Sequence, residues 1–336
     1  MSNNEHAFAP YIRALGKGKT SSRSLNQGEA REAMGMILRG EVEPAQIGAF
    51  LMLLRIKEES AEEIAGFVEA CRKHINKRSR PMPAPHLDWA SYSGKRREHN
   101  WYLLAALLLA QHGYRVLMHG SAGHTEGRLY SEVALAALGI GAASDWEHCE
   151  KQLDVSGFSY FPLGVFCPEL QNLIDLRSRF GLRSPVHTLT RLLNPASASA
   201  SIQSVFHPSY SATHHQAAEL LGEPRACVLK GEAGEVEYRP NANVRVLQRA
   251  DGNAVELTFG RQWEQAHEPR TPDTQALIDT WRGEKEDRYG VEAIVGTTAI
   301  ALLTMNITDT AASSVKKARE LWEGRNRTQW HADQAN

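Results

Sequence analysis

The sequence predicts an α/β protein: a helical N-terminal part joined to a larger part built on a mostly parallel sheet. Three observations carry this. The first 80 residues repeat apolar side chains at helical spacing, with Ala30, Ala33, Met34, Ile37 and Leu38 on one face. Pro81, Pro83 and Pro85 then interrupt the chain as a linker. Beyond them, Leu87 to Tyr92, Trp101 to Gln111 and Arg115 to His119 alternate as strand, helix and strand, the βαβ signature of parallel pairing.

Each element has a local cause. Asn26 with Glu29 makes a capping box for the first long helix, and Gly40 ends it. Pro44 suits a first helical position, and Ile47 to Ile56 follows as an almost wholly apolar helix, buried on most sides or lying at an interface. Ser60 with Glu63 forms a second capping box ahead of Ile64, Phe67, Val68, Cys71 and Ile75. The basic run Arg72, Lys73, Lys77, Arg78 and Arg80 at the end of that helix complements its dipole.

A third α/β unit is expected from a helix over Ser131 to Leu138 and a strand over Phe158 to Pro162. Residues 168 to 194 return to helical pattern through Leu170, Leu173, Ile174 and Leu176, and Asn194-Pro195 stops it. The small, polar stretch Ala196 to Ser204 reads as a loop. After it come a helix near His214 to Leu221, strands at Ala226 to Lys230, Val244 to Leu247 and Val255 to Phe259, and closing helices Val291 to Met305 and Asp309 to Glu323, the last capped by Thr308. Arg325 to Asn336 reads as a frayed tail.

With 336 residues, 42% hydrophobic and 23% charged, the chain can bury a large core. The longest apolar run, Trp101 to Ala110, is about half a membrane span, and the polar start Met1 to Pro10 lacks a secretory core, so no membrane partner and a cytoplasmic location are expected. Cysteines 71, 149, 167 and 227 form no Cys-x-x-Cys pair, and His214-His215 offers no ligand spacing; neither disulfides nor a metal are indicated. The net charge of −1 gives no general attraction to nucleic acid, but the distribution is uneven. Residues 11 to 40 hold six Lys or Arg against two Asp or Glu, and residues 70 to 100 hold eight against two.

In a parallel sheet ligands bind at the carboxyl ends of the strands, which brings the loops after Tyr92 and after His119 to one cleft. Lys95, Arg96 and Arg97, with His99 nearby, fall in the first of these loops. Three adjacent cations there repel one another unless an anion is present; the competing reading is a solvated surface loop. Lys17, Lys19 and Arg23 flank Gly16 and Gly18 ahead of the first capped helix, where a flexible solvated loop is the plainer reading. Tyr92 and Trp101 could stack on bases, although Trp101 opens an apolar helix and fits a core; His119 reads as a phosphate contact or as a satisfied structural histidine.

Several blocks resemble the anthranilate phosphoribosyltransferase family: "LDWASYSGKRREHN", "GYRVLMHGSAG", "FGLRSPVHTLTRLLNPAS", "VLKGEAGEVE" and "NITDTAASSVKKARELWEG", spanning roughly residues 11 to 323. The resemblance implies the two-part fold of the nucleoside phosphorylase and phosphoribosyltransferase type: a small helical domain of the N-terminal helices plus an inserted helical pair (1–80 with 166–194) on a larger, mostly parallel α/β domain (81–165 with 195–336), with phosphoribosyl pyrophosphate bound between them. It also implies a glycine-rich Gly-Thr-Gly-Gly-Asp loop, whose backbone N–H groups approach pyrophosphate. Here that loop reads Ser91-Tyr92-Ser93-Gly94-Lys95. The family's Lys-His-Gly-Asn becomes Met118-His119-Gly120-Ser121, and its magnesium-holding Asp-Glu pair aligns with Val236-Glu237, leaving one carboxylate where a hard cation wants several oxygens.

The departures imply lost transfer chemistry, so no catalytic residue, cofactor or metal is assigned. The run "SYSGKRRE" resembles the YbiB-type branch of the superfamily, whose members bind nucleic acid without sequence preference and are homodimers. The resulting expectation is a non-specific DNA- or RNA-binding protein, dimeric through its helical part. Its contact residues are Lys95, Arg96, Arg97, His99, Arg177, Arg179, Arg183, Lys17 and Lys19, and its remnant phosphate cleft is Tyr92, Ser93, Gly94, His119 and Gly120. In the resembled enzymes the position of Arg177 faces the aromatic acceptor, so Arg177 and Arg183 also fit inherited architecture. The rival reading is a phosphoribosyl- or glycosyltransferase acting on an unidentified aromatic acceptor; a third is an interaction scaffold using Ile47 to Ile56.

Overall fold

A computed structural model describes residues 5–18, 20–76, 82–121, 123 and 125–330. Four helices open the chain: α1 (Ala9–Gly16), α2 (Gln27–Leu38), α3 (Pro44–Lys57) and α4 (Ala61–Asn76). Both expected capping boxes form. Asn26 Oδ1 accepts from the Glu29 amide while the Glu29 carboxylate accepts from Asn26, and Ser60 and Glu63 reciprocate in the same way. Helices α2 and α4 approach so closely at Gly66 that a Cβ there would lie 2.3 Å from the Gln27 carbonyl oxygen.

The sheet follows as β1 (Leu87–Ser91), β2 (Val116–Gly120), β3 (Phe158–Pro162), β4 (Ala200–Ser204), β5 (Arg225–Leu229), β6 (Val244–Ala250) and β7 (Asn253–Phe259). Its order is β3-β2-β1-β4-β5-β6-β7, parallel from β3 through β5 and closed by the antiparallel β6 and β7. The chain moves outward from β1 to β2 and β3, then returns to place β4 on the other side of β1. The carboxyl ends of β1 and β4 therefore flank the switch point, where a ligand cleft opens in such sheets.

Helices α5 (Trp101–Gln111), α6 (Ser131–Ala137) and α7 (Trp146–Ser156) connect the first three strands. Residues Trp101 to Ala110 of α5 are buried on every side because α5 lies between the sheet and a long late helix. The short helices α8 (Leu163–Phe166), α9 (Pro168–Asp175), α10 (Arg177–Phe180) and α11 (Val186–Leu189) lie between β3 and β4. Helix α12 (Tyr210–Leu220) joins β4 to β5, and α13 (Thr274–Arg282), α14 (Arg288–Thr304) and α15 (Ala311–Glu323) close the chain.

Alternation along the strands divides the interior into two cores. Leu87 and Trp89 of β1 face α5 and α14, while Ala90 packs with the N-terminal helices and α9. The architecture is thus a small helical N-terminal domain on a larger α/β domain with a mostly parallel sheet. Among the described residues no helix is long and apolar enough to cross a membrane, and the four cysteines are buried free thiols.

Four local expectations are corrected. Ala200 to Ser204 is not loop but β4, at the middle of the sheet; Ser201 and Gln203 disguise it, and Gln203 is accommodated there by a 3.0 Å hydrogen bond between its Oε1 and His214 Nδ1. The cap of α15 is Thr310 rather than Thr308, with its side chain accepting from the Ser313 amide. Arg325 is not frayed: its guanidinium lies 3.6 Å over the Trp322 ring and donates to the carbonyls of Trp281, Trp322 and Thr280. Helices α7 and α13 went unread in the sequence, and both begin at an aspartate cap, Asp145 and Asp273.

Candidate functional site

The loop leaving β1 begins with Tyr92, whose ring is buried and whose hydroxyl lies 2.8 Å from His119 Nδ1. On its other side His119 meets Asp88 at 3.3 Å and is wholly buried, so it is a satisfied structural histidine rather than a phosphate contact. Tyr92 and Trp101, at 2% and 0% exposure, have no free face for a base. Gly120 ends β2 where a Cβ would sit 2.1 Å from the Ser91 carbonyl oxygen; its missing side chain is a packing requirement.

Ser93 and Gly94 follow, and Gly94 adopts φ +61°, which turns consecutive N–H groups toward one point. That point is occupied by the protein itself. Both amides donate to Glu235 Oε1 at 2.6 Å, and Ser91 Oγ donates to Oε2 at 3.0 Å. Arg191, also buried, reaches the same place, donating to Ser93 Oγ at 2.7 Å and to the Gly234 carbonyl at 3.0 Å. Burial raises the Glu235 carboxyl above its usual range, while Arg191, the two amides and Ser91 favour its charged form.

Lys95 requires the largest correction. It is not an exposed cation: it is 0% exposed, its Nζ is paired with the Glu237 carboxylate, and it donates to the His99 carbonyl at 2.6 Å. Its backbone forms a bridge with Leu129, which joins the loops after β1 and β2 as expected. The other Glu237 oxygen accepts from the Tyr102 amide at 2.9 Å. His99 is turned inward too: its Nδ1 accepts from the Asp273 amide at 2.8 Å, its ring packs edge-on against Trp101, and burial depresses its pKa. Neither residue faces solvent for a polyanion.

Arg96 and Arg97 do remain exposed. Arg96 lies beside Gly127 in the loop after β2, and in that loop Arg128 donates to the carbonyls of Ser93 and Gly94 at 2.9 and 3.0 Å. Arg177, at the start of α10, donates to Thr125 of the same loop. Arg183 is partly buried, and its pKa is pulled down to about 10 by burial and then by Arg191, Arg177 and Arg128. Arg128, Arg177, Arg183 and Arg191 thus gather as an arginine line beside the loops after β1 and β2, and Arg96 lies at Gly127 of the second loop. Among the described residues no carboxylate is within ion-pair distance of Arg96, Arg128 or Arg183. A cavity of about 150 Å³ opens at this line, walled by Tyr92, Arg183, His187, Arg191, Phe206 and Tyr210.

Arg179 is exposed on α10, outside the cavity wall. Lys17 is exposed just after α1, and Lys19 lies outside the described residues. Glu235, Arg128 and Arg191 were missed in the sequence. The aligned pair Val236-Glu237 drew attention away from Glu235, although Val236 is the buried apolar residue between two inward carboxylates. The structure therefore presents two carboxylates, not one, but a magnesium–pyrophosphate group does not fit them: Glu235 fills the loop amides and Glu237 is held by Lys95 and Tyr102.

Residues 9–75 match the glycosyl transferase family helical bundle domain, and residues 84–324 match the glycosyl transferase family a/b domain. The chain belongs to glycosyl transferase family 3. Within that family it is 32% identical to the uncharacterized protein YbiB of Escherichia coli (strain K12) over 236 residues, 69% of this chain and 73% of that one. It is 28% identical to the anthranilate phosphoribosyltransferase of Beijerinckia indica over 94% of this chain and 90% of the relative. Among solved structures, anthranilate phosphoribosyltransferase from Thermus thermophilus superposes with a TM-score of 0.77 at 26% identity, covering 95% of this chain and 94% of that one. The Saccharomyces cerevisiae enzyme in complex with PRPP and Mg superposes at 0.75 with 16% identity over 95% and 94% of the two chains, which speaks for the fold alone.

Proposed function

We propose that this family member binds nucleic acid through its phosphates, without reading bases, on the arginine line at the switch point. One observation carries the reading. Arg183 is a partly buried cation that lines one cavity with Arg191, and among the described residues no carboxylate is within ion-pair distance of it, an arrangement that favours a bound polyanion. Exposed Arg96, Arg97 and Arg179 extend the line outward. The contact set of this proposal is Arg96, Arg97, Arg128, Arg177, Arg179 and Arg183, with exposed Lys17 after α1 as a further candidate; buried Lys95 and His99 support the loop instead. The protein acts as a homodimer through α3, where Ile56 is 85% exposed at the end of an apolar helix.

Fluorescence anisotropy of labelled single-stranded DNA, double-stranded DNA and RNA at two salt concentrations tests this. Six phosphate contacts make affinity fall by roughly three orders of magnitude between 50 and 200 mM salt. A flat salt response, or strong dependence on base sequence, overturns the proposal.

The second reading, glycosyl or phosphoribosyl transfer to an aromatic acceptor, is favoured by family membership and by Phe206 and Tyr210 in the cavity wall beside Arg183. Turnover of phosphoribosyl pyrophosphate in the presence of magnesium would establish it.

A further inference from the structure

We infer that Glu235 is a built-in ligand for the anion cradle of the β1 loop, and that deleting its side chain converts the cradle into a binding site for a free inorganic oxyanion. The cradle has the components of an oxyanion site: two convergent backbone N–H groups at 2.6 Å, a hydroxyl at 3.0 Å and a buried guanidinium behind them. Gly94 supplies the left-handed backbone that makes the amides converge.

The segment carrying Glu235 is pressed onto the loop. At Gly234 a Cβ would lie 2.8 Å from Ser93 Oγ, so the carboxylate is delivered by closely fitted backbone rather than by a swinging surface side chain. Its removal leaves two buried amides without an acceptor and Arg191 without a nearby counter-charge. Arg191, which donates to Ser93 Oγ, also borders the cavity of about 150 Å³, so one residue links the cradle to that cavity. In the native chain the same contact excludes a pyrophosphate from the loop. This inference is separable from nucleic-acid binding, because Arg191 is buried and lies outside the contact set proposed for nucleic acid.

The test is thermal unfolding of the native protein, Glu235→Ala and Glu235→Gln in chloride, with inorganic phosphate added at constant ionic strength. In chloride, Glu235→Ala melts several degrees below the native chain. Millimolar phosphate raises its Tm saturably by several degrees, while the native protein and Glu235→Gln, whose side chain still fills the space, shift by less than one degree. Where Glu235→Ala does not fold in chloride, recovery of its far-ultraviolet circular dichroism in phosphate counts for the inference, and failure to recover counts against it. An equal phosphate response in all three proteins, or pyrophosphate binding to the native chain by calorimetry at micromolar concentration, overturns it. The phosphate response of Glu235→Ala persists when Arg96 and Arg97 are also replaced by alanine, changes that lower nucleic-acid affinity, so failure here is distinguishable from failure of the arginine line.

Discussion

Lys95 and Glu237 form an ion pair with both side chains almost wholly inside the protein, 0% and 1% exposed. A carboxylate and an ammonium taken out of water hold each other in place only while both are present. Burial raises the Glu237 carboxyl and Lys95 opposes that rise, favouring its charged form. The loop after β1 is consequently a folded unit whose basic run contains one structural cation and two exposed ones.

The first prediction separates them. Lys95→Ala leaves Glu237 buried without its partner and destabilises the protein by about 3–5 kcal/mol. Arg96→Ala and Arg97→Ala each change stability by less than about 0.5 kcal/mol. Urea unfolding of the three variants checks this; a Lys95→Ala midpoint equal to native would show that the pair contributes nothing.

The second concerns the arginine line. Arg177→Ala with Arg183→Ala should weaken DNA binding about equally for unrelated sequences and lower the slope of log affinity against log salt by about 2. Arg183 carries part of this through its exposed portion, while Arg177 also holds Thr125. An unchanged slope in the double variant removes both residues from the interface.

What the sequence made legible follows physical visibility. The capped helices, the βαβ unit and the alternation of α/β elements were readable because apolar periodicity and Asn, Ser and Pro punctuation are local signals. Strand β4 was not, since Ser201 and Gln203 break the apolar pattern, and Gln203 is fitted to the interior by a hydrogen bond to His214 on the following helix. The site was half legible. Glycine loss in the loop could be seen, but the partner of Lys95 lies 142 residues away, and that distance decides whether a basic run is surface or structure. Glu235 was invisible for the same reason: its donors lie more than 140 residues away, and two of them, the amides of Ser93 and Gly94, are backbone groups with no side-chain signature.

The third prediction is the response to acid. Burial pulls the His214 pKa down to about 3, with Arg191 adding to the shift, and burial likewise holds His187 at about 3. Both fold as neutral rings, whereas in the unfolded chain they take up protons near pH 6.5. Between these values the unfolded state binds more protons, so stability is full above about pH 6.5 and is lost as pH falls toward 3. Each histidine contributes a loss of at most about 1.4 kcal/mol per pH unit below the unfolded value. His214→Gln, measured by urea unfolding at pH 7, 6 and 5, should show a shallower acid decline by about that amount. Parallel curves for the variant and the native protein would contradict the assignment.

The last prediction distinguishes packing from ligand binding at Gly120. In a phosphate-cradling loop a glycine is required so that a ligand can approach the backbone. In this structure the space beside Gly120 is taken by the protein: a Cβ would lie 2.1 Å from the Ser91 carbonyl oxygen and 2.8 Å from the Tyr160 hydroxyl. The strands β1 and β2 that hold Ser91 opposite Gly120 cannot separate without breaking their parallel ladder. Gly120→Ala should therefore destabilise the protein by about 3 kcal/mol, in the upper range of overpacking costs. Gly113→Ala provides the contrast. Nothing lies within 4 Å of its Cβ position, so only the backbone strain of φ +87°, about 1–2 kcal/mol, applies. The folded fraction of Gly120→Ala should keep native nucleic-acid affinity. A stable Gly120→Ala protein with impaired binding would reverse the assignment and return this glycine to the ligand site.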